Sequence, residues 1–250
     1  MQIPWLAPGE PLPEAASAWG PDDPVPGLLA AGGELSVERL LEAYRSAIFP
    51  WFSDNQPILW WSPDPRMVLE VSRFRLHRSL RKTIDHFRQT AGCEIRFDHD
   101  FEAVIRACSA APRAGQAGTW IVPDMIAAYV ALHAAGHAHS VETWVDGELT
   151  GGLYCVAIGQ AVFGESMFAR RPDASKIALA ALVGFCRRHA LPMIDCQQNT
   201  AHLTSLGASE MRRADFVAHV ARARAQPAPD WDFAPVYWNE LLSARPTQPT

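Results

Sequence analysis

Residues 138–168 read AHSVETWV-DG-ELTGGLYCVAI-GQ-AVFGESMF, which is three runs of strand-forming residues separated by two turn signals. Polar and apolar residues alternate from Ala138 to Val145, which is the pattern of a strand with one buried face. Asp146-Gly147 is a strong signal for a two-residue hairpin turn, and Gly159-Gln160 marks a second turn. The stretch therefore predicts an antiparallel meander of three strands, at 138–145, 148–158 and 161–168.

The segments after the meander predict a helix and one more strand. Asp173 is placed to cap an apolar helix that runs to about Ala190, and residues 193–197 then have the composition of a buried strand. Strands followed by a helix and a further strand are typical of an α+β domain.

Helical periodicity recurs on both sides of this core. Ser36 predicts the start of a helix that ends near Ile48, and an apolar stripe from Leu76 to Phe87 predicts another. The remaining predicted elements are a strand at 94–98 and helices at about 101–108, 123–136 and 214–225, with a short helix before Gly207.

Three segments interrupt the periodic pattern. Residues 1–27 are rich in proline and predict an irregular arm, and the chain from Gln226 onward is Pro-rich without periodicity. The aromatic cluster between Phe49 and Trp61 is broken by prolines, so it cannot form a regular helix. These breaks favour an α+β sheet domain behind a smaller N-terminal unit.

Composition excludes several classes of protein. The chain has 250 residues, 48% of them hydrophobic, which is enough for a large core. It has no apolar run of about 18 residues that could span a membrane, and its start lacks the features of a secretory signal. Five cysteines without a Cys-x-x-Cys pair suit neither a disulfide framework nor a structural zinc site. We therefore expect a cytoplasmic protein without a metal.

Charge is unevenly distributed along the chain. The formal net charge is −5, yet residues 66–88 contain seven Arg or Lys residues and two acids. A basic segment can attract phosphates even in an acidic protein. A solvated helix face explains the same charges. Arg78, Arg81 and Lys82 lie off the apolar stripe of their predicted helix and are expected to face solvent.

Three polar residues in predicted strands could carry chemistry. Asp195 and Gln197 are two positions apart, so a regular strand would turn both side chains to one face. Glu165 lies in the last strand of the meander. A carboxylate among apolar residues must be paired or must reach solvent. From the pattern alone, a functional cleft and a buried hydrogen-bond network are equally good interpretations.

Other residue combinations carry weaker signals. His133 and His137 do not share a helical face, because Gly136 ends the helix, so structural histidines are expected. Cys196 and His202 could form a nucleophile–base pair, although a buried, inert cysteine is the preferred interpretation. The sequence contains neither of the two common glycine-rich nucleotide-phosphate motifs.

Ten short motifs occur in a fixed order between about Gly27 and Ala225. They are GLLAAGG (27–33), IFPWF (48–52), WWSPDPR (60–66), GTWI (118–121), GHAHSVE (136–142), GGLY (151–154), GESMF (164–168), ASK (174–176), IDCQ (194–197) and SLGA (205–208). In this order and spacing they resemble the bacterial leucyl/phenylalanyl-tRNA–protein transferases. Each motif is weak, but the ordered set is highly specific.

The resemblance implies both a fold and an activity. It implies a small N-terminal domain, taken as 1–65 with its irregular arm, and a larger catalytic domain at 66–250 that resembles the Gcn5-related acyltransferases and ends in the Pro-rich tail. The implied reaction transfers leucine or phenylalanine from aminoacyl-tRNA to an N-terminal Arg or Lys of an acceptor protein, which creates a degradation signal. Because the ester on tRNA is already activated, no cofactor is expected. We expect a monomer.

The resemblance also implies roles for individual residues. Asp195 and Gln197 match residues at the reacting centre and would orient the acceptor amine and assist its deprotonation. Asp195 could be a general base or an orienting group. Glu165 would hold the acceptor's N-terminal residue or its amine.

The two ends of the donor require different surroundings. The donor side chain needs an apolar pocket, and the candidate lining residues are Leu153, Met167, Leu179, Leu182 and Ile194. The terminal adenosine could stack on Trp51 and Trp120, whereas Trp60 and Trp61 are expected to pack in the core. In this context Arg78, Arg81 and Lys82 are preferred as contacts to the tRNA backbone.

Two alternative functions stay open. A coenzyme A-dependent N-acyltransferase would carry a glycine-containing pyrophosphate loop, but residues 170–175 contain no glycine. A non-catalytic binder of basic N-termini or tRNA ends is the second alternative. Ala169 stands where many relatives have serine, and apolar positions such as Val162 differ in size. The preference among Leu, Phe and Met as donors therefore also stays open.

Overall fold

The computed structural model describes residues 2–111 and 120–242. Gly118 and Thr119 of the GTWI motif, and the part of the Pro-rich tail from 243 onward, lie outside the described residues. Among the described helices, none combines the length and apolar character that a membrane span requires.

Short strands precede the longer strands and helices of the main sheet. The described strands are β1 (Trp5–Leu6), β2 (Leu28–Gly32), β3 (Phe49–Pro50), β4 (Leu59–Trp61), β5 (Arg66–Glu70), β6 (Cys93–Phe97), β7 (Ala138–Val145), β8 (Glu148–Ile158), β9 (Ala161–Ala169), β10 (Met193–Gln197) and β11 (Ser209–Met211). The described α-helices are α1 (Val37–Arg45), α2 (Arg78–Gln89), α3 (Phe101–Ala110), α4 (Pro123–Ala134), α5 (Ala174–Arg188), α6 (Ala201–Ser205), α7 (Arg213–Ala223) and α8 (Tyr237–Leu242).

The main sheet contains seven of the described strands, in the order β11-β5-β10-β9-β8-β7-β6. The predicted meander is confirmed as β7, β8 and β9, which pair antiparallel through the two predicted turns. The strand after α5 is also confirmed, and it joins β9 in a parallel pair. The fold is therefore mixed, with a parallel step in the middle of an otherwise antiparallel sheet.

Two apolar clusters pack on opposite faces of this sheet. Successive residues of β8 alternate between them, since Tyr154 and Val156 belong to one cluster and Leu153 and Cys155 to the other. The first cluster packs against α1, α3, α4 and α7. The second packs against α2, α5 and α8. The alternation from Ala138 to Val145 predicted a strand with one buried face. In the structure, helices cover both faces of the sheet.

A second, smaller sheet lies in the N-terminal part of the chain, in the order β1-β2-β4-β3. Its strands have two to five residues, and the prediction of an irregular arm and a non-helical aromatic cluster did not identify them. Trp60 is fully buried there and donates its indole N–H to the Gly32 carbonyl at 2.9 Å. Non-local pairing therefore stabilises segments that are too short to show a period.

The Pro-rich C-terminal segment is more regular than expected. Residues 237–242 form α8, and Tyr237, Trp238 and Leu241 are buried against α5. A Cβ atom on Gly184 of α5 would lie 2.6 Å from the Tyr237 carbonyl oxygen, so the close packing requires glycine there. A six-residue helix shows too few turns for its stripe to be recognised in a sequence.

Candidate active site

Two cavities open side by side where β9 and β10 run parallel. Each has a volume of about 200 Å³. One is lined by aromatic rings and the other is mainly apolar, and both are bordered by Glu165 and Gln197. The ladder between β9 and β10 joins only two residue pairs, after which β9 is bonded to β8 alone. The cavities therefore lie where the sheet separates, which is a common position for a ligand site.

Both polar border residues lie at irregularities of their strands. The register of β9 against β8 shifts between Gly164 and Ser166, which leaves Glu165 as the extra residue of a bulge. The register of β10 against β5 shifts between Asp195 and Gln197, and Gln197 adopts a positive φ of 55°. Bulges re-aim side chains and occur often beside active sites. The sequence predicted a regular strand that turns Asp195 and Gln197 to one face. A bulge lies between them instead, but both residues border the apolar cavity.

The Glu165 carboxylate is the centre of a hydrogen-bond network. Its Oε1 accepts from the Tyr44 hydroxyl at 2.7 Å and from the Gln197 side-chain amide at 3.2 Å. Its Oε2 accepts from the Tyr129 hydroxyl at 3.4 Å. Burial raises the pKa of Glu165 to about 8, although the Tyr44 hydrogen bond acts in the opposite direction. At pH 7 this group is therefore mostly protonated, and it reaches its titration midpoint at about pH 8.

The sequence did not identify the two tyrosines of this network as site residues. Tyr44 and Tyr129 are fully buried, and their hydroxyls also hydrogen-bond to each other. Burial and the nearby charge of Glu165 raise the pKa of both, so both stay protonated donors. Tyr44 fitted the apolar stripe of α1. The role of its hydroxyl can be recognised only from the contact between α1 and β9 in the structure.

Asp195 is not open to solvent. Its side chain is 1% exposed and forms a bidentate ion pair with the equally buried Arg66, with N–O distances of 2.8 and 2.6 Å. Its Oδ1 also accepts the backbone N–H of Gln197 at 3.0 Å. Asp195 borders the apolar cavity, but both carboxylate oxygens already have donors from the protein. Its expected orienting role stays a prediction.

The five side chains predicted to line a donor pocket come together in one cavity. They approach it from β8, β9, α5 and β10, and they are Leu153, Met167, Leu179, Leu182 and Ile194. At about 200 Å³, the cavity is smaller than the roughly 300–1,000 Å³ of typical drug-sized ligand sites. It therefore suits a single apolar side chain.

The neighbouring cavity carries the aromatic residues. Trp51 and Trp120 both line it, together with Phe49. The Trp51 carbonyl accepts the indole N–H of Trp61 at 2.6 Å, and the two rings meet edge to face. Trp61 is 8% exposed and Trp60 is fully buried, so both have core positions.

The three predicted tRNA contacts on α2 have different surroundings. Arg78 and Lys82 are exposed, as expected of the face opposite the apolar stripe. Arg81 is only partly exposed and donates to the backbone carbonyls of Leu241 and Leu242. The expectation that Arg81 faces solvent is therefore only partly correct, because its guanidinium binds the last described carbonyls of α8.

The residues rejected as a metal or nucleophile site have structural contacts. The His133 ring nitrogen hydrogen-bonds to the Ala138 carbonyl, and His139 pairs with Asp98 at 2.6 Å. Burial raises the pKa of the Cys196 thiol, which disfavours the reactive thiolate. Across the described residues, no group of three or more potential ligands could hold a metal ion.

Comparison with known proteins identifies the family. The family model described as leucyl/phenylalanyl-tRNA protein transferase matches residues 68–221, and the model of that family's N-terminal domain matches residues 33–64. The chain belongs to the leucyl/phenylalanyl-tRNA–protein transferase family. Members named leucyl/phenylalanyl-tRNA–protein transferase are 64% identical over 248 residues in Polaromonas sp. and 60% identical over 252 residues in Leptothrix cholodnii. Each alignment covers 99% of this chain, with 97% and 98% of the relatives.

Membership in the transferase family decides between the alternatives left open by the sequence. It identifies the chain as an aminoacyltransferase and disfavours coenzyme A-dependent acylation. A crystal structure of a functionally unknown conserved protein from Staphylococcus epidermidis covers 74% of this chain and 68% of its own, with a TM-score of 0.35 and 8% identity. That likeness is too low to define the fold.

Proposed function

We propose that the protein transfers leucine or phenylalanine from the 3′ end of an aminoacyl-tRNA to the N-terminal amine of proteins that begin with arginine or lysine. The observation that carries the proposal is the junction of two cavities at Glu165 and Gln197. An apolar cavity on one side of this junction and an aromatic cavity on the other match the two ends of an aminoacylated adenosine.

The donor would span both cavities. Its side chain would enter the cavity lined by Leu153, Met167 and Leu179. Its adenosine would stack on Trp51 or Trp120, and base–aromatic stacking contributes about 1–3 kcal/mol per base. The scissile ester would then lie at the junction, beside Glu165.

The acceptor amine would approach the same junction. An α-amino group has a pKa of about 7.7–8.0, and the pKa of Glu165 is about 8. Proton transfer between groups of matched pKa has almost no free-energy cost, so the ionised carboxylate suits a proton acceptor. The same negative charge favours a cationic first side chain.

The reaction needs little beyond positioning. The amine nitrogen attacks the ester carbonyl carbon, a C–N bond forms, and the bond to the ribose oxygen breaks. One proton leaves the nitrogen through Glu165, and the departing ribose oxygen takes up a proton to become a hydroxyl. Holding ester and amine in contact can supply about 7–11 kcal/mol of barrier reduction in favourable cases.

The tRNA body would contact the exposed face of α2. Arg78 and Lys82 are free to reach phosphates there, whereas Arg81 would contribute mainly by holding α8. Phosphate contacts of this kind fix the position of a nucleic acid without reading its sequence.

Cellular setting and domain division are part of the same proposal. We place the reaction in the cytoplasm, where aminoacyl-tRNA is made, with the protein acting as a monomer. The five cysteines are all free, which suits a reducing compartment.

A division at residue 65 is supported by the two sheets, because the small one ends with β4 and the large one begins with β5 at Arg66.

The test is a transfer assay with purified components. The protein is incubated with radiolabelled leucyl-tRNA and a peptide that begins with arginine, without ATP. Label should appear on this peptide, and none should appear on the same peptide with an acetylated N-terminus. Valyl-tRNA and a peptide that begins with aspartate are matched controls for donor and acceptor. Binding of both substrates without transfer would overturn the proposal in favour of a non-catalytic binder.

A further inference from the structure

We propose that Arg66 is a positioning residue of the transfer site: together with Asp195 it fixes the bulge of β10 that presents Gln197 to the reacting groups. This inference rests on the proposed transfer function. It assigns a role to a residue outside both cavities, and it makes Asp195 a positioning group in place of a proton acceptor.

The guanidinium of Arg66 is completely enclosed. Its Nε and Nη2 donate to the two carboxylate oxygens of Asp195, and its Nη1 donates to the Ala47 carbonyl at 3.2 Å. The rings of Phe49 and Phe216 lie on it, with centroids 4.7 and 4.6 Å from the guanidinium carbon. Planar stacking combined with a two-point ion pair requires arginine, since lysine is a point charge without a plane.

These contacts join parts of the chain that form different walls of the site. Ala47 and Phe49 belong to the segment that continues into Trp51, which lines the aromatic cavity. Asp195 lies on β10, and Phe216 lies on α7. Arg66 therefore links the wall made by the N-terminal part of the chain to the strand that carries Gln197.

The ion pair reaches the junction through one backbone hydrogen bond. Asp195 Oδ1 accepts from the Gln197 N–H, and this bond spans the bulge at which Gln197 takes its positive φ. The Gln197 amide then donates to Glu165. A non-glycine residue with positive φ persists only where its surroundings stabilise it. The Arg66–Asp195 pair supplies that stabilisation.

The same geometry argues against Asp195 as a proton acceptor. The amine would need an open path to a carboxylate oxygen, but the Asp195 side chain is 1% exposed and the buried Arg66 guanidinium binds both of its oxygens. Glu165 also accepts hydrogen bonds on both oxygens, but its donors there are the hydroxyls of Tyr44 and Tyr129 and the Gln197 amide. Glu165 is the carboxylate that borders both cavities. Asp195 can thus act on the reaction only through Gln197.

The test compares variants of the pair in the full-length protein. The first is Arg66→Lys, and the second is the double variant Arg66→Gln with Asp195→Asn, which replaces two buried charges by two amides. The double variant keeps the test usable if an unpaired buried charge prevents folding. Arg39→Lys is the matched control, because Arg39 is 3% exposed and pairs with Glu34 and Glu42, and none of these three residues borders either cavity.

The measurements separate positioning from folding and from proton transfer. Melting curves and tRNA affinity report whether the variant is folded. A misplacement of about 1 Å can reduce a rate about 100-fold, so kcat should fall by up to about that factor while tRNA affinity stays unchanged. The pH dependence of kcat/KM should keep the wild-type slope, because Glu165 and the amine still titrate. Adding Gln197→Ala to either variant should reduce kcat little further, since Gln197 is already misplaced.

Several results would overturn the inference. The first is a folded Arg66 variant whose kcat equals that of the Arg39→Lys control. The second is a Gln197→Ala change that reduces the kcat of an Arg66 variant by the same factor as it reduces the wild-type kcat. The third is a flattened pH dependence of kcat/KM in the double variant. The last result would make Asp195 the titrating base. If the wild-type protein itself transfers no label, the proposed function fails, and the inference fails with it.

Discussion

Replacing Glu165 by glutamine tests whether this carboxylate takes the proton of the acceptor amine. Burial raises the pKa of Glu165 to about 8, and the α-amine of a peptide titrates at about 7.7–8.0. Between pH 6 and 7 both groups are mostly protonated, so the deprotonated fraction of each rises about ninefold. If both must be deprotonated, kcat/KM for the peptide should rise by their product, about 80-fold.

In the Glu165→Gln variant only the amine still titrates in this range. Its kcat/KM should be lower at every pH and should rise only about ninefold between pH 6 and 7. The assay is the initial rate of label transfer from leucyl-tRNA at sub-saturating peptide, measured in steps across this interval. Glutamine keeps the size of the side chain and can still accept from Tyr44, so the change removes mainly the ionisation.

A matched control is Glu142→Gln. Glu142 is also a buried, hydrogen-bonded glutamate, which accepts from Ser140, Trp144 and the backbone of Asp100, and it borders neither cavity. This variant should keep the 80-fold rise. The reasoning is refuted if the wild type rises only about ninefold, or if Glu165→Gln retains the steep dependence.

Protein stability gives an independent check of the same pKa. An unfolded glutamate titrates at about 4.3, whereas folded Glu165 holds its proton to about pH 8. The folded state therefore binds more protons between these values. Its contribution to stability is complete below about pH 4.3 and is lost as the pH rises through about 8. Urea unfolding from pH 5 to 8.5 should accordingly show wild-type stability falling relative to Glu165→Gln.

Further predictions concern the cavities and the surface of α2. Arg78→Ala with Lys82→Ala should weaken tRNA binding, and the slope of log affinity against log salt concentration should fall by about one per lost phosphate contact. Arg106→Ala, at an exposed arginine, should leave that slope unchanged. Filter binding at several salt concentrations measures both. Leu179→Phe narrows the apolar cavity, so transfer of phenylalanine should fall about 10-fold or more relative to leucine in competition assays. Trp51→Ala should weaken binding of the aminoacylated 3′ end by about 1–3 kcal/mol in calorimetry with an aminoacyl-adenosine analogue, and an unchanged affinity would contradict the stacking role.

Local signals in the sequence were strong enough to predict the main sheet in part. The meander was predicted because long alternating runs are separated by Asp146-Gly147 and Gly159-Gln160, and the turn chemistry and the period agree. β5 and β11 were not predicted. β5 has five residues and pairs with β10 and β11, and β11 has three residues and pairs with β5. Both partners of β5 lie far away along the chain. The apolar run of β5 has only three residues, Met67 to Leu69, and β11 has no apolar run, so neither shows a recognisable period.

Some residues of the candidate site were predicted from the sequence, and others were missed. Glu165 and Gln197 were identified because polar residues in apolar strands are conspicuous. Tyr44 and Tyr129 were missed because a buried tyrosine fits a helix stripe as well as phenylalanine does. The importance of Tyr44 depends on a contact with Glu165, which lies 121 positions away.

The sequence predicts that Arg66 has a buried partner of opposite charge, but it does not identify that partner. Asp195 sits in the run Met-Ile-Asp-Cys-Gln, and Arg66 begins the run Arg-Met-Val-Leu. A charge in an apolar strand needs a partner of opposite sign, so each run predicts that some partner exists. The register places Val68 opposite Asp195, and Arg66 lies two residues before Val68 on the same face, as its diagonal neighbour. Once β5 and β10 are known to be adjacent, the pairing follows from charge and register alone. Their adjacency is the missing fact, because the two strands are 129 positions apart and no local signal connects them.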